Sequence, residues 1–281
     1  MTFSNSKKYR RFLKFKIKIY ILSIINFFLK KINYNILPTA NSFDTLKTKY
    51  SEASRTFYFL PNKNKINIYK IDTSNLYSEL CFLGQKHNVD KSPYSKTWHR
   101  HSYTGVYDLI FSSFKDQKFN FAEIGVYKNN SIRMFREYFK NAYLYAFDFN
   151  QKYLENARKQ KLKKTKYSFI DVTKNKSIHH NFLKIKKKFK LIIDDSSHSF
   201  DDQIRIIKIC KDFLEPGGFL VIEDIFLFEN IEYKFKKELK NYLSYFIKFD
   251  FIDCNHINQY SKGWITNNDK ILIIQKSFDK N

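Results

Sequence analysis

Glycine, proline, cysteine, methionine and tryptophan are all scarce in this 281-residue chain, at 6, 4, 3, 2 and 2 copies. Few glycines and prolines, alongside a wealth of Lys, Asn, Ile, Phe and Tyr, are what AT-rich codon usage produces. The cysteines, Cys81, Cys210 and Cys254, are odd in number and far apart. No pair has metal-ligand spacing, which excludes a cysteine metal site, and the pattern offers no disulfide framework. They read as small apolar fillers in a reducing cytoplasm. Acidic residues are also few, 27 against 51 Lys plus Arg, for a formal net charge of +24. Such charge favours anionic partners, but it is spread along the chain rather than gathered into a stripe. No Asn-Pro-Pro-Tyr-like motif and no appended RNA-binding module accompany it, so specific nucleic-acid binding is not expected.

Long apolar runs are missing too. Phe12 to Leu29 is mostly apolar but carries Lys14, Lys16, Lys18 and Asn26, and its charge-free part is too short for a confident membrane span. It has no small-residue cleavage site of the signal-peptide kind. Two readings of residues 12–31 stay open: an interfacial helix held by lysines on the inner face of a membrane, or a helix that packs on the domain or on a second subunit.

What is present is core material, with 43% hydrophobic and 19% aromatic residues, enough to exclude global disorder. Three parts are expected: a basic N-terminal extension over 1–45, a helical lead-in over 46–117, and an α/β domain over 118–277. In the lead-in, Ile66 to Ile71 alternates like a strand, and Ser74 to His87 has helical spacing with Ser74 as N-cap. From Lys118 onward, strand-length apolar runs alternate with polar-faced helical segments. The runs are Phe119–Val126, Tyr143–Phe149, Tyr167–Val172, Phe189–Asp194 and Gly218–Glu223. The intervening segments are Ser131–Phe139, Lys152–Gln160 and Asp201–Leu214. This alternation predicts βαβ units and a parallel sheet covered on both faces. A helix over Tyr233–Tyr245 and a closing antiparallel pair near Phe246–Cys254 and Lys270–Gln275 complete it.

The polar residues at the strand ends point to a nucleoside site. Gly125 turns the first strand into a helix opened by Ser131, so that a ligand can approach the backbone and the helix N-terminus. Asp148 ends the next strand, where a carboxylate reaches two ribose hydroxyls. Asp171 ends the third, within reach of an adenine amine. Asp194, Asp195 and His198 follow the fourth strand, and Glu223 and Asp224 end the fifth. So many carboxylates together repel unless a cation or proton neutralises them, and oxygen ligands suit a hard divalent ion such as Mg²⁺. The D-x-x-H spacing of Asp195 and His198 lets the carboxylate hold metal while the imidazole serves as general base.

Glu123-Ile124-Gly125-Val126, Asp148, Asp194-Asp195-Ser196-Ser197-His198 and Pro216-Gly217-Gly218 leading to Val221-Ile222-Glu223-Asp224 resemble the class I methyltransferases. They are most similar to the metal-dependent sugar O-methyltransferases of macrolide-glycoside and bacterial capsule pathways. Asp90-Lys91-Ser92, then His101-Ser102-Tyr103-Thr104 and Tyr107, resemble the segment that precedes the domain in that group. The resemblance implies a Rossmann-like seven-stranded, mostly parallel sheet with helices on both faces. It implies S-adenosylmethionine at Gly125 and Asp148, with Glu123, Ser131, Asp171 and Asp194 in the cofactor set. It implies Mg²⁺ at Asp195, Glu223 and Asp224, and His198 as base. The expected reaction is O-methylation of a sugar hydroxyl on a small-molecule or glycan acceptor, free, nucleotide-linked or lipid-linked. Rival readings are a phenolic or other small hydroxylated acceptor and an inactive membrane-associated scaffold. Two departures stand out: Lys128-Asn129-Asn130 replaces the usual second glycine of the cofactor loop, and Ser196 replaces a glycine before Ser197-His198.

Overall fold

In the computed structural model, residues 66–97, 99–226, 230–259 and 268–278 are described. The extension over 1–45, with its membrane or subunit contact over 12–31, lies outside them. No helix among the described residues is long and apolar enough to cross a membrane.

Among the described residues the architecture is α/β, organised on one sheet of eight strands in the order β1-β7-β8-β6-β5-β2-β3-β4. The strands are β1 (Asn67–Asp72), β2 (Asn120–Ile124), β3 (Tyr143–Asp148), β4 (Thr165–Phe169), β5 (Phe189–Asp194), β6 (Leu214–Ile225), β7 (Phe246–Asn255) and β8 (Lys270–Lys276). Seven strands were expected from the resemblance. The eighth is β1, which pairs in parallel with β7 from Asn67 opposite Asp250 to Asp72 opposite Asn255. Only β8 runs against its neighbours, antiparallel to both β6 and β7.

Alternate residues of the central strands feed two separate apolar layers, because successive strand side chains point to opposite faces. Phe121, Leu191, Ile193 and Val221 join one cluster. Ala122, Ile192, Leu220 and Ile222 join the other. Each fully buried Leu, Ile or Phe contributes roughly 1.5–3 kcal/mol by leaving water, so both covers are needed and the strands read as unbroken apolar runs.

Several boundaries differ from the sequence-based ones. The lead-in helix spans Glu79–Lys86 and is capped by Ser78, whose Oγ accepts from Cys81 N at 3.4 Å. Ser74 instead accepts from Ile257 N at 2.9 Å and ties the lead-in to the end of β7. β4 ends at Phe169, before the apolar Ile170 and Val172, which are buried outside the ladder. β6 runs through the Glu215-Pro216-Gly217-Gly218 turn with a register shift opposite β5. The expected helix at Tyr233–Tyr245 is a helix over Ile231–Glu238 followed by a 3₁₀ turn over Lys240–Tyr245. Helices over Tyr103–Phe111 and Asn175–Ile185 had not been expected.

Candidate active site

β2 and β5 lie side by side at the centre of the sheet, and the order reverses there. In open α/β sheets such a switch point leaves a crevice at the strand C-termini. Here it is a cavity of about 710 Å³ whose walls include Gly125, Ser131, Asp148, Asp171, Asp195 and His198.

Gly125 adopts φ +111°, and a Cβ there would stand 2.0 Å from the carbonyl oxygen of Asp195. The glycine is thus demanded by the approach of two strand ends as well as by any ligand. The loop after it is held from β3: Asp148 Oδ2 accepts from Val126 N at 2.8 Å and Tyr127 N at 3.0 Å. Asn129, where a second glycine was expected, takes φ +66° and stands as the N-cap of the helix Asn130–Tyr138. Asn tolerates that left-handed geometry better than most residues, and its side chain is fixed by Gln160 at 2.8 Å and Tyr167 at 3.1 Å. Asp171 accepts from the Thr173 hydroxyl at 2.6 Å and pairs with Lys174 at 2.8 Å. Those partners hold its carboxyl below the usual carboxylate range.

A nucleoside with an amino-acid tail fits this crevice: it offers a carboxylate at the end of β3, an open helix N-terminus and polar groups down to Asp195. We expect Asp148→Ala to weaken S-adenosylhomocysteine binding by about tenfold or more, since it removes a charge-assisted acceptor and frees the loop. Calorimetric titration checks this, and an unchanged affinity would remove Asp148 from the cofactor set.

Two of the expected cofactor residues face inward. Asp194 is buried, accepts from Ser196 Oγ at 2.6 Å, and is pushed up to about 7 by burial. Glu123 is buried, with Ser131 and Lys91 as polar neighbours. Burial drives its pKa up to about 7 against the pull of Lys91, whose Nζ is 3.7 Å away.

Asp195 and His198, which line the cavity, and Asp224 bring one donor atom each within 4.8 Å of one another. Nε2 of His198 stands 3.6 Å from Asp224 Oδ2 and 4.0 Å from Asp195 Oδ1. Both His198 and Asp224 have left-handed backbone, at φ +56° and +54°. Strain of this kind is of order 1–3 kcal/mol per residue and persists where the surroundings impose it. Asp224 accepts from the Tyr103 hydroxyl at 2.6 Å. Burial would raise its pKa, but His101 and His198 more than offset that and hold it low. A pair of carboxylate oxygens turned to one point suits a hard divalent ion that keeps several waters, so the residues present fit Mg²⁺. Glu223, expected as a third ligand, is instead engaged by Lys91 Nζ and by the Tyr107 hydroxyl at 2.6 Å.

Sequence reasoning had not placed Lys91, His99, His101, Tyr103 and Tyr107 in the site by role. His101 donates its Nδ1–H to Asp269 Oδ1 at 2.7 Å, meets His99 at 2.7 Å, and stacks on Tyr103 with ring centroids 4.5 Å apart. Burial lowers its pKa, but Asp224 and Asp269 outweigh that and bring it to about 9. The only signal in the sequence was the resemblance carried by the Asp90-Lys91-Ser92 and His101–Tyr107 segments.

Known proteins resemble this chain in sequence and in fold. Residues 122–225 match the family model described as a methyltransferase domain. A curated relative, the 8-demethyl-8-alpha-L-rhamnosyl tetracenomycin-C 2'-O-methyltransferase of Streptomyces olivaceus, is 27% identical over 153 residues, covering 52% of this chain and 37% of its own. The structure of MycE methyltransferase from the mycinamycin biosynthetic pathway, in complex with Mg and SAH, superposes with a TM-score of 0.52 at 17% identity, over 72% of this chain and 55% of that one. A further MycE complex with Mg, SAH and mycinamycin VI matches at the same TM-score, 0.52, with 18% identity, over 71% of this chain and 54% of that one. The chain thus spans about half, or less, of the length of these relatives.

Proposed function

We propose, for a chain whose residues 122–225 form a class I methyltransferase domain, that it moves the methyl group of S-adenosylmethionine onto a sugar hydroxyl with the help of Mg²⁺. The observation that carries this reading is the meeting of Asp195, His198 and Asp224 at the end of a cavity lined by Gly125 and Asp148. The rhamnose 2'-O-methylation named for the relative from Streptomyces olivaceus and the Mg and SAH of the MycE complexes support it.

Gly125, Ser131, Asp148 and Asp171 would hold the methyl donor, whose sulfonium makes the methyl carbon electrophilic. A divalent cation at Asp195 and Asp224 would supply Lewis acidity that lowers the pKa of a bound hydroxyl. His198 would take the hydroxyl proton as the acceptor oxygen displaces the donor's sulfur from the methyl carbon. S-adenosylhomocysteine and a methyl ether leave.

Purified protein given methyl-labelled S-adenosylmethionine and a fractionated extract of a capsule-making bacterium should place label in the sugar or polysaccharide fraction. Excess EDTA should abolish that label, and Mg²⁺ should restore it. Label in RNA, in a phenolic fraction, or in any fraction regardless of EDTA would overturn the metal-and-sugar reading while keeping methyl transfer.

A further inference from the structure

The parallel strands β2 to β6 open at their C-termini on the cavity, so the turns that enter them gather at the opposite end of the sheet. Those turns are basic. Residues 160–164 lead into β4 and residues 186–188 into β5, and Lys161, Lys163, Lys164, Lys186, Lys187 and Lys188 are all exposed. The stretch from Asn156 to Lys190 holds thirteen Lys and Arg with Asp171 as its single acid, and Asp171 lines the cavity at the other end. Two exposed acids, Asp116 and Asp212, stand in neighbouring turns, and Asp212 is paired with Lys211 at 2.7 Å. Charge that is spread along the sequence is thus concentrated by the fold.

Three of these lysines occupy backbone that suits another residue. Lys161, Lys164 and Lys186 have φ of +51°, +53° and +54°, a left-handed region that Gly and Asn tolerate better. Asn is abundant in the chain and is read from codons as AT-rich as those of Lys, so composition does not account for lysine at all three turns. A local rule broken repeatedly in one place marks a functional surface. Apolar side chains stand among the charges. Leu183, in the last turn of the helix Asn175–Ile185, is 56% exposed. Tyr143 opens β3, is 49% exposed, and has Lys164 Nζ 5.9 Å from its ring centroid. Ammonium groups alone serve any polyanion, whereas exposed Leu and Tyr beside them are what a lipid interface takes up.

We propose that this end of the sheet is a docking surface for an anionic lipid leaflet, which holds the lysines, seats Leu183 and Tyr143 among the headgroups, and leaves the cavity facing water. Strands of this length span about 17–20 Å, roughly twice the Debye length at physiological salt. The acids at the cavity end therefore do not cancel the attraction, and their repulsion from the leaflet favours the same orientation. Sedimentation of the full chain with vesicles tests the surface. The parent should bind phosphatidylcholine mixed with phosphatidylglycerol, not phosphatidylcholine alone, and should be released as salt rises. At roughly fivefold per lysine near a charged leaflet, Lys163→Glu/Lys164→Glu/Lys187→Glu should weaken binding at least about tenfold. Lys70→Glu/Lys96→Glu/Lys152→Glu makes the same change in net charge at exposed lysines outside these turns, and should stay within about threefold of the parent. Melting curves check that both variants are folded, and Lys163→Glu alone, expected to cost about threefold or more, serves if the triple change unfolds the chain. The native cysteines are buried, so an environment-sensitive fluorophore on Leu183→Cys reports this site alone and should shift to the blue on the mixed vesicles. A parent that ignores the mixed vesicles, a label that does not shift, or two triple variants weakened alike would each overturn the proposal. RNA binding lost in the first triple variant, without any response to mixed vesicles, would assign the surface to nucleic acid instead.

Discussion

His198→Ala lowers turnover by about 10²–10⁴-fold, the usual worth of general-base assistance, and leaves S-adenosylhomocysteine affinity close to the parent value. An alcohol oxygen is a poor nucleophile until its proton has somewhere to go. Nε2 of His198 stands between Asp195 and Asp224 at 4.0 and 3.6 Å, and the residue lines the cavity. The cofactor loop makes none of its described hydrogen bonds with the imidazole, so binding and chemistry should separate. Backbone strain supplies an internal control. At φ +56° an asparagine is better tolerated than an alanine, by about 1 kcal/mol. His198→Asn should therefore be as inactive as His198→Ala but melt at a higher temperature. Methyl-transfer rates, calorimetry with S-adenosylhomocysteine and melting curves on the two variants decide it. Full activity in either would remove His198 from the reaction.

The second large effect is structural in origin and functional in outcome. Gly125→Ala places a methyl group 2.0 Å from the Asp195 carbonyl oxygen and forces a side chain to φ +111°. Neither neighbour can yield easily. Asp195 N donates to Ile124 O at 2.8 Å, and Gly125 N donates to Phe147 O at 2.7 Å. Strain and overpacking of this kind amount to about 2–6 kcal/mol together, or roughly 5–20 °C in Tm for a chain of this size. Any folded fraction should bind S-adenosylhomocysteine poorly, because relief of the clash moves β2 away from β5 at the crevice. A melting curve and a titration check both parts. A stable variant with parental affinity would show that the strand ends are free to separate.

The central strands were legible in the sequence because burial on two faces leaves unbroken apolar runs, and Phe189–Asp194 coincides with its strand. Where burial and pairing part company, the reading slips. Ile170 and Val172 are buried beyond the last ladder residue of β4, so the apolar run extends past the strand. The helix Tyr103–Phe111 buries Tyr103, Thr104, Gly105, Val106 and Tyr107 in succession, and a segment apolar all round carries no helical stripe to detect. The helix Asn175–Ile185 fails in the opposite way, since only Ile178 and Phe182 are buried. Strand-end carboxylates could be placed from order alone. Lys91 could not: a single lysine in a polar loop reads as solvated, and its partners Asp195 and Glu223 are 104 and 132 residues away. Only the folded sheet brings them to it.

The pairing of β1 with β7 bears on how this architecture can be exchanged between proteins. The segment that matches the methyltransferase family model, residues 122–225, carries Asp195, Glu223 and Asp224 but not the ammonium or the phenols that meet them. Those travel on the preceding segment, which β1 stitches to the far edge of the sheet. A graft or recombination event cut at the start of the module would inherit the acids without their counter-ion. The acids of the cluster and the groups that neutralise them are therefore encoded in two pieces of chain that only the folded sheet unites.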